Sequence, residues 1–95
     1  MLHPNDNYRV KLAKGITLTL IEGKHVLFSM KTGDTFGLNE SAAFMLGALL
    51  KTDAHQAIEA VCKEYAAPPD EIRADLTELA NELVTGKLLE VERPR

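Results

Sequence analysis

Residues 33–50 read GDTFGLNESAAFMLGALL, and the pattern changes at Asn39. Before Asn39, the side chains of Phe36 and Leu38 alternate with small or polar ones, which is the period-two pattern of a strand. From Asn39 onward the sequence is apolar around almost the whole circumference of a helix, and asparagine is a favourable N-cap residue. The stretch therefore predicts a short strand, Asp34–Leu38, followed at once by a buried helix.

Two more strands are predicted upstream, because residues 16–20 and 25–30 also alternate between apolar and other side chains. A two-residue turn at Gly23-Lys24 would join these strands, and Gly33 can supply the positive φ of a second turn. The result is a meander whose first and third strands are the edges. Residues 1–13 begin with a polar, turn-like run and are predicted to be a flexible N-terminal segment with a weakly extended end.

Three helices are predicted to follow the meander. Asp53 and Gln56 resemble a capping box at the start of the second helix. Pro69 suits the first turn of the third helix, which is expected to end at Gly86. The final KLLEV run is predicted to be extended and to pack back on the core. The fold class is therefore α+β, with a winged-helix-like, three-stranded antiparallel sheet followed by three helices in one domain, residues 1–95.

The composition argues against several classes of function. The chain has 95 residues and a net charge of −3, so it offers no basic surface for nucleic acid or an acidic membrane. A single cysteine, Cys62, rules out an internal disulfide and fits a reducing compartment. No stretch resembles a signal peptide or a membrane span. We expect a cytoplasmic protein that contacts neither nucleic acid nor membrane.

No residue pattern predicts catalysis. Cys62 lies on the apolar stripe of the second helix, where a core position is favoured over a nucleophile. The three histidines, His3, His25 and His55, lack the spacing of metal ligands. Neither a glycine-rich phosphate loop nor a nucleophile motif occurs. We therefore expect no enzymatic activity, no cofactor and no metal site.

Two other interpretations fit the same order of elements. A winged-helix regulator that binds nucleic acid is the alternative, but its recognition helix should carry clustered lysines and arginines. The third predicted helix carries one arginine, Arg73, and five acidic residues. The other interpretation is a subunit that scaffolds a partner enzyme, which a large exposed apolar patch would favour.

An edge strand suggests a third kind of function, because its unpaired N–H and C=O groups can pair with an extended peptide. On the third predicted strand, Phe36 and Leu38 would face the core. Thr35 and Gly37 would leave the opposite face low, so that a peptide could lie close to the backbone. The first strand is also an edge, and the pattern alone does not choose between them.

The stretch from Gly33 to Val91 resembles the PqqD family. Four motifs carry the resemblance: DTFGLNESAA at Asp34–Ala43, EY at Glu64-Tyr65, IRADL at Ile72–Leu76, and GKL at Gly86–Leu88. The upstream strands fit this family in pattern only. The stretch over which the motifs are spread covers about two thirds of the chain.

The resemblance implies a RiPP recognition element, a small module that binds the leader segment of a ribosomally synthesised precursor peptide without catalysis of its own. It implies delivery of the leader to a modifying enzyme, a leader peptidase or a radical-SAM protein, in pyrroloquinoline quinone, lasso-peptide or related biosynthesis. The leader is then expected to add as an antiparallel strand to the third strand and to lie against the third helix. We expect a monomer or a weak homodimer, since exposed edges permit pairing between copies.

These expectations define a set of candidate residues. On the third helix, the spacing of Ile72, Leu76, Leu79 and Leu83 predicts the core stripe. The less charged flank beside this stripe is expected to form a groove with the third strand, and Leu76 and Ala80 are expected to be the residues most exposed in it. Acidic residues on the opposite flank could meet lysines of the leader. The predicted peptide-binding residues are Asp34, Thr35, Phe36, Gly37, Leu38, Arg73, Asp75, Leu76, Thr77, Ala80 and Val84.

Overall fold

A computed structural model describes residues 1–92 of the chain. The elements in chain order are β1 (Arg9–Leu12), β2 (Ile16–Ile21), β3 (Lys24–Ser29), β4 (Thr35–Leu38), α1 (Glu40–Lys51), α2 (Ala54–Tyr65), α3 (Pro69–Thr85) and β5 (Leu89–Glu92). The predicted α+β order of three antiparallel strands and three helices is confirmed, and the three predicted strands are β2, β3 and β4. A pair of terminal strands, β1 and β5, is added to it.

The three-stranded sheet has the order β2-β3-β4 with antiparallel pairing throughout. Its first turn lies one residue earlier than predicted. Ile21 pairs with Lys24, so the two turn residues are Glu22 and Gly23, with φ of 51° and 80°. Positive φ at both central residues defines a type I′ turn, whose twist matches that of the flanking strands. The prediction of a turn at Gly23-Lys24 is therefore wrong by one position.

One row of side chains on this sheet packs against the helices. Leu18, Leu27 and Phe36 lie side by side across the three strands. Leu27 is completely buried, whereas Leu20 at the far end of β2 is 61 % exposed. The turn end of the β2–β3 hairpin therefore projects beyond the core. The sheet packs against the core through the part that includes β4.

Residues 1–13 are predicted to be a flexible segment with a weakly extended end, and in the structure this end is a paired strand, β1. Arg9–Leu12 pair with Leu89–Glu92 as an antiparallel ladder. Tyr8 and Val10 are buried, and the Tyr8 hydroxyl lies 3.3 Å from Oγ1 of Thr77 on α3. Burial raises the pKa of the Tyr8 phenol, since an apolar environment disfavours the phenolate. The partner strand lies at the other end of the chain, so no local pattern reveals this pairing.

The predicted helix starts are confirmed. Asn39 accepts a hydrogen bond from the Ala42 amide at 2.8 Å, and Asp53 accepts one from the Gln56 amide at 2.9 Å. The second bond favours the carboxylate and lowers the pKa of Asp53. The helix α1 is less completely buried than its sequence suggests, because Phe44 is 36 % exposed and packs edge-on against Tyr65.

The end of α3 carries an unusual residue in the left-handed region. Gly86 is the C-cap, as predicted, but its φ is −77°, and the left-handed residue is Lys87, with φ of 62°. The Lys87 amide donates to the Val84 carbonyl, and the Leu88 amide donates to the Leu83 carbonyl. This is the Schellman pattern, which normally places glycine at the left-handed position.

None of the helices within residues 1–92 is long and apolar enough to span a membrane.

Candidate functional site

The strand β4 has a hydrogen-bonded neighbour on one side only. Within residues 1–92 it pairs with β3, and the β1–β5 ladder forms a separate sheet. The other side of β4 is therefore an open edge of four residues, Thr35–Leu38. An edge of this kind presents main-chain donors and acceptors to any strand that approaches it.

The pairing with β3 shows which groups point outward. The Ser29 amide donates to the Asp34 carbonyl at 2.9 Å, so Asp34 faces β3. Hydrogen-bonded and non-hydrogen-bonded positions alternate along an antiparallel pair. Phe36 and Leu38 therefore also direct their main-chain groups at β3, whereas Thr35 and Gly37 direct theirs at the open edge. The edge offers two N–H donors and two C=O acceptors.

The surface around this edge is free of obstruction at its centre. A Cβ placed on Gly37 would meet no heavy atom within 4 Å. Thr35 and Gly37 are exposed, while Phe36 is half-buried and Leu38 is buried. The predicted division of β4 into two core-facing and two open positions is thus what the burial pattern shows.

A groove lies between one end of the three-stranded sheet, from the start of β2 to the first half of β4, and the C-terminal part of α3 with β5. It has a volume of about 930 Å³, and Thr35, Phe36, Glu82 and Val84 contribute to its walls. A smaller recess of about 260 Å³ continues between α1 and α3, where Asp75, Glu78 and Leu79 face Asn39 and the first turns of α1. Glu82 lines both the groove and the recess, so the two adjoin at this residue of α3.

Most of the α3 residues predicted for peptide binding lie elsewhere. Leu76 and Ala80 have no exposed surface, and Thr77 is 3 % exposed. The expectation that Leu76 and Ala80 would be the most exposed residues of the groove is therefore wrong. Arg73 lies on the side of α3 that faces α2, and its guanidinium donates to the Asp70 carboxylate at 3.1 Å.

The N-terminal segment explains this arrangement, because it covers the flank of α3 that the sequence left open. The Leu2 amide donates to Oδ1 of Asn81 at 2.8 Å, and Nδ2 of Asn81 donates to the Leu2 carbonyl at 2.9 Å. Tyr8 contacts Thr77 on the same flank. Ala80 is part of the buried core and does not shape a groove for a ligand.

The structure brings together Asp34, which precedes β4, and Thr35 and Phe36 of β4 with Val84 and Asp75 of α3 along the combined groove and recess. On α3, the lining residues that the candidate set lacked are Glu78, Leu79 and Glu82. Leu79 is part of the predicted core stripe, and helical spacing places Glu78 and Glu82 next to it on one side, as it places Ala80 and Thr77 on the other. No signal within one helix tells which of its two flanks another segment covers.

The described residues show no arrangement suited to metal chemistry. No group of three or more His, Cys, Asp or Glu side chains within residues 1–92 is placed to hold an ion. Cys62 is a half-buried free thiol on α2. The chemistry that the site supports is main-chain pairing and side-chain contact.

An open strand edge beside a helix is the feature that lets a class of small α+β domains accept an extended peptide as a further strand. The family model for coenzyme PQQ synthesis protein D (PqqD) matches residues 24–89, which include β3, β4 and all three helices. The chain belongs to the PqqD family.

Two solved structures share the fold. One is TbiB1 in complex with the TbiA(beta) leader peptide, with a TM-score of 0.78 and 24 % identity over 88 % of this chain and 99 % of that one. The other is lasso peptide synthetase B1 complexed with the leader peptide, with a TM-score of 0.80 and 19 % identity over 86 % of this chain and 98 % of that one. No curated protein matches the sequence.

Proposed function

We propose that this protein binds the leader segment of a ribosomally synthesised precursor peptide, which adds as an antiparallel strand to β4 and lies against α3. The observation that carries the proposal is the open edge of β4, where Thr35 and Gly37 direct their main-chain groups outward beside a groove. Membership of the PqqD family supports it. So does the likeness to two proteins whose structures contain leader peptides.

The edge by itself accounts for only part of a useful affinity. Four main-chain hydrogen bonds at about 0.5–1.5 kcal/mol each give roughly 2–6 kcal/mol. Ordering the peptide reduces this sum, and a micromolar complex needs about 8 kcal/mol. Side chains of the peptide must therefore bury apolar surface in the groove. Phe36, Leu79 and Val84 are among the half-buried apolar groups that line the groove and its recess, together with Ile16, Leu88 and Val91.

The role that follows is non-catalytic. The bound leader would be presented to a modifying enzyme, a leader peptidase or a radical-SAM protein, and the protein itself would need no cofactor. It would act as a monomer or a weak homodimer. The site proposed for the leader comprises β4 and the α3 flank of Asp75, Leu79, Glu82 and Val84, which revises the set expected from sequence.

A fluorescence-anisotropy titration tests the proposal. The labelled ligand is a synthetic leader peptide encoded by the short precursor frame beside this gene, and labelled duplex DNA is titrated in parallel. We expect micromolar or tighter binding of the leader, no binding of DNA, and loss of leader binding in Gly37→Pro but not in Gly37→Ala. Salt-sensitive DNA binding without leader binding would favour a nucleic-acid regulator instead.

A further inference from the structure

The groove beside β4 carries opposite charges at its two ends. At the acidic end, three carboxylates of α3 face the start of α1. At the basic end, three lysines lie near the β3–β4 turn and the end of α3. The acidic residues are Asp75, Glu78 and Glu82, and the basic residues are Lys14, Lys31 and Lys87.

These charges are not neutralised within the described part of the chain. The ion pairs formed inside residues 1–92 are Lys11–Glu90, at 3.9 Å, and Arg73–Asp70, at 3.1 Å. Neither involves a charged residue of the two ends named above. Glu90 also borders the basic end, but Lys11 is its partner there. Besides Glu90, two carboxylates line the groove with the three lysines: Asp34, in the turn before β4, and Glu82, which also lines the recess at the acidic end.

The direction of β4 relates the two ends to the direction of a bound peptide. The turn at residues 30–34 precedes β4 and lies at the basic end, and Asn39 follows β4 at the acidic end. An antiparallel peptide therefore enters with its N-terminal part at the acidic end and leaves at the basic end. We infer that the groove selects leader peptides by charge order, with Lys or Arg in the N-terminal part and Asp or Glu in the C-terminal part. This inference rests on the proposed function.

The geometry sets the spacing of the two charged positions. Asp75 and the C-cap Gly86 are eleven positions apart, which the helical rise makes about 17 Å, and Lys87 follows Gly86 directly. An extended peptide advances about 3.3 Å per residue, so the same distance takes five or six residues. The cationic and anionic side chains of the peptide are therefore expected about five or six positions apart, with the apolar residues between them.

The backbone conformation of Lys87 indicates that its positive charge has a function at the basic end of the groove. Its φ of 62° is a conformation that favours glycine, and a lysine there costs conformational free energy. Lys87 lines the groove and directly follows the C-cap of α3, where the helix dipole favours a cation. Glycine would close the helix equally well but would remove the charge.

Selection from a random dodecapeptide display library tests the inference. The full-length protein is immobilised at low ionic strength, and the selected pool is sequenced for charge at each position relative to the apolar residues. We expect enrichment of Lys and Arg on the N-terminal side and of Asp and Glu on the C-terminal side. A selected peptide should bind two- to fivefold more weakly for each end whose charge is reversed, as for exposed ion pairs.

Charge-reversed proteins complete the test. Glu78→Lys should weaken the same peptide and reduce the N-terminal Lys and Arg enrichment. Glu64→Lys makes the same charge change at an exposed position of α2, outside the groove. It should leave both the affinity for the selected peptide and the N-terminal Lys and Arg enrichment unchanged. Selected peptides whose binding is lost in Gly37→Pro but that show no charge order, or the opposite order, would overturn the inference and leave the proposed function standing. Equal weakening by Glu64→Lys would also overturn it, and failure to select any peptide would overturn both.

Discussion

The substitution Gly37→Pro tests peptide pairing at the open edge of β4 while leaving the pairing of β4 with β3 intact. Proline lacks an N–H, and it is tolerated in edge strands where that N–H faces away from the neighbouring strand. The pairing of β4 with β3 places the Gly37 N–H on the open side, so no ladder hydrogen bond is lost. The strand should therefore stay paired while one of its two outward donors disappears.

The size of the effect follows from the single donor. Losing it removes one main-chain hydrogen bond and leaves a peptide carbonyl unpaired in the complex, which costs about 1–3 kcal/mol. The leader is then expected to bind roughly 5- to 150-fold more weakly. The free energy of unfolding should change by less than about 1 kcal/mol, since the altered group faces solvent in the free protein.

Two measurements check this prediction together. Anisotropy titration gives the dissociation constant for the leader, and urea denaturation gives the free energy of unfolding. Gly37→Ala is the matched control, because its Cβ meets nothing within 4 Å and its N–H is retained, so it should bind normally. Unchanged binding in a folded Gly37→Pro protein would refute pairing at β4. A sheet that unfolds would refute the assignment of the outward N–H.

Three further predictions concern stability. Ala80→Glu should lower the free energy of unfolding by about 3–5 kcal/mol in urea denaturation, because the carboxylate would be buried without a partner. The same substitution at the exposed Ala74 should not lower it. A stable Ala80→Glu protein would contradict the burial of this flank of α3. Lys87→Gly should stabilise the protein by about 1 kcal/mol in the same assay, because it relieves a left-handed residue; no gain would show that the residue is unstrained. The Tyr8 pKa is raised in the folded state, so the unfolded chain ionises first as the pH rises. The stability gained from the neutral phenol is therefore complete below pH 10 and falls as the pH rises through the folded pKa. In urea denaturation above pH 10, the free energy of unfolding of Tyr8→Phe should decline less with pH than that of the original protein, and an identical decline would show that Tyr8 is not its cause.

The strands and helices were predictable because their signals are local. Asn39 and Asp53 each cap a helix through an amide three residues away, and both caps are present as expected. The hairpin turn was misplaced because Glu22, an unremarkable residue for a strand, adopts a positive φ beside Gly23. Sequence shows that a turn is present, but the register of the two strands decides which residues form it.

The candidate site was predictable only on its strand side. Phe36 and Leu38 face inward and Thr35 and Gly37 stay open, as the alternation indicated. On α3 the periodicity identified the buried stripe, but its two flanks are equivalent in that pattern. The small residues of one flank indicated a groove, whereas in the structure Ala80 is buried.

By itself, the sequence determined the meander, the three helices, the helix starts at Asn39 and Asp53, and the open strand before α1. Each of these depends on residues within a few positions of one another. The tertiary structure alone decided which flank of α3 faces β4, because residues 1–12 return from the other end of the chain to cover the opposite flank. Leu2 forms a hydrogen bond with Asn81, and β1 pairs with β5. Both contacts join residues that are separated by most of the length of the chain. Contacts of that separation depend on burial in the assembled core, which periodicity does not encode.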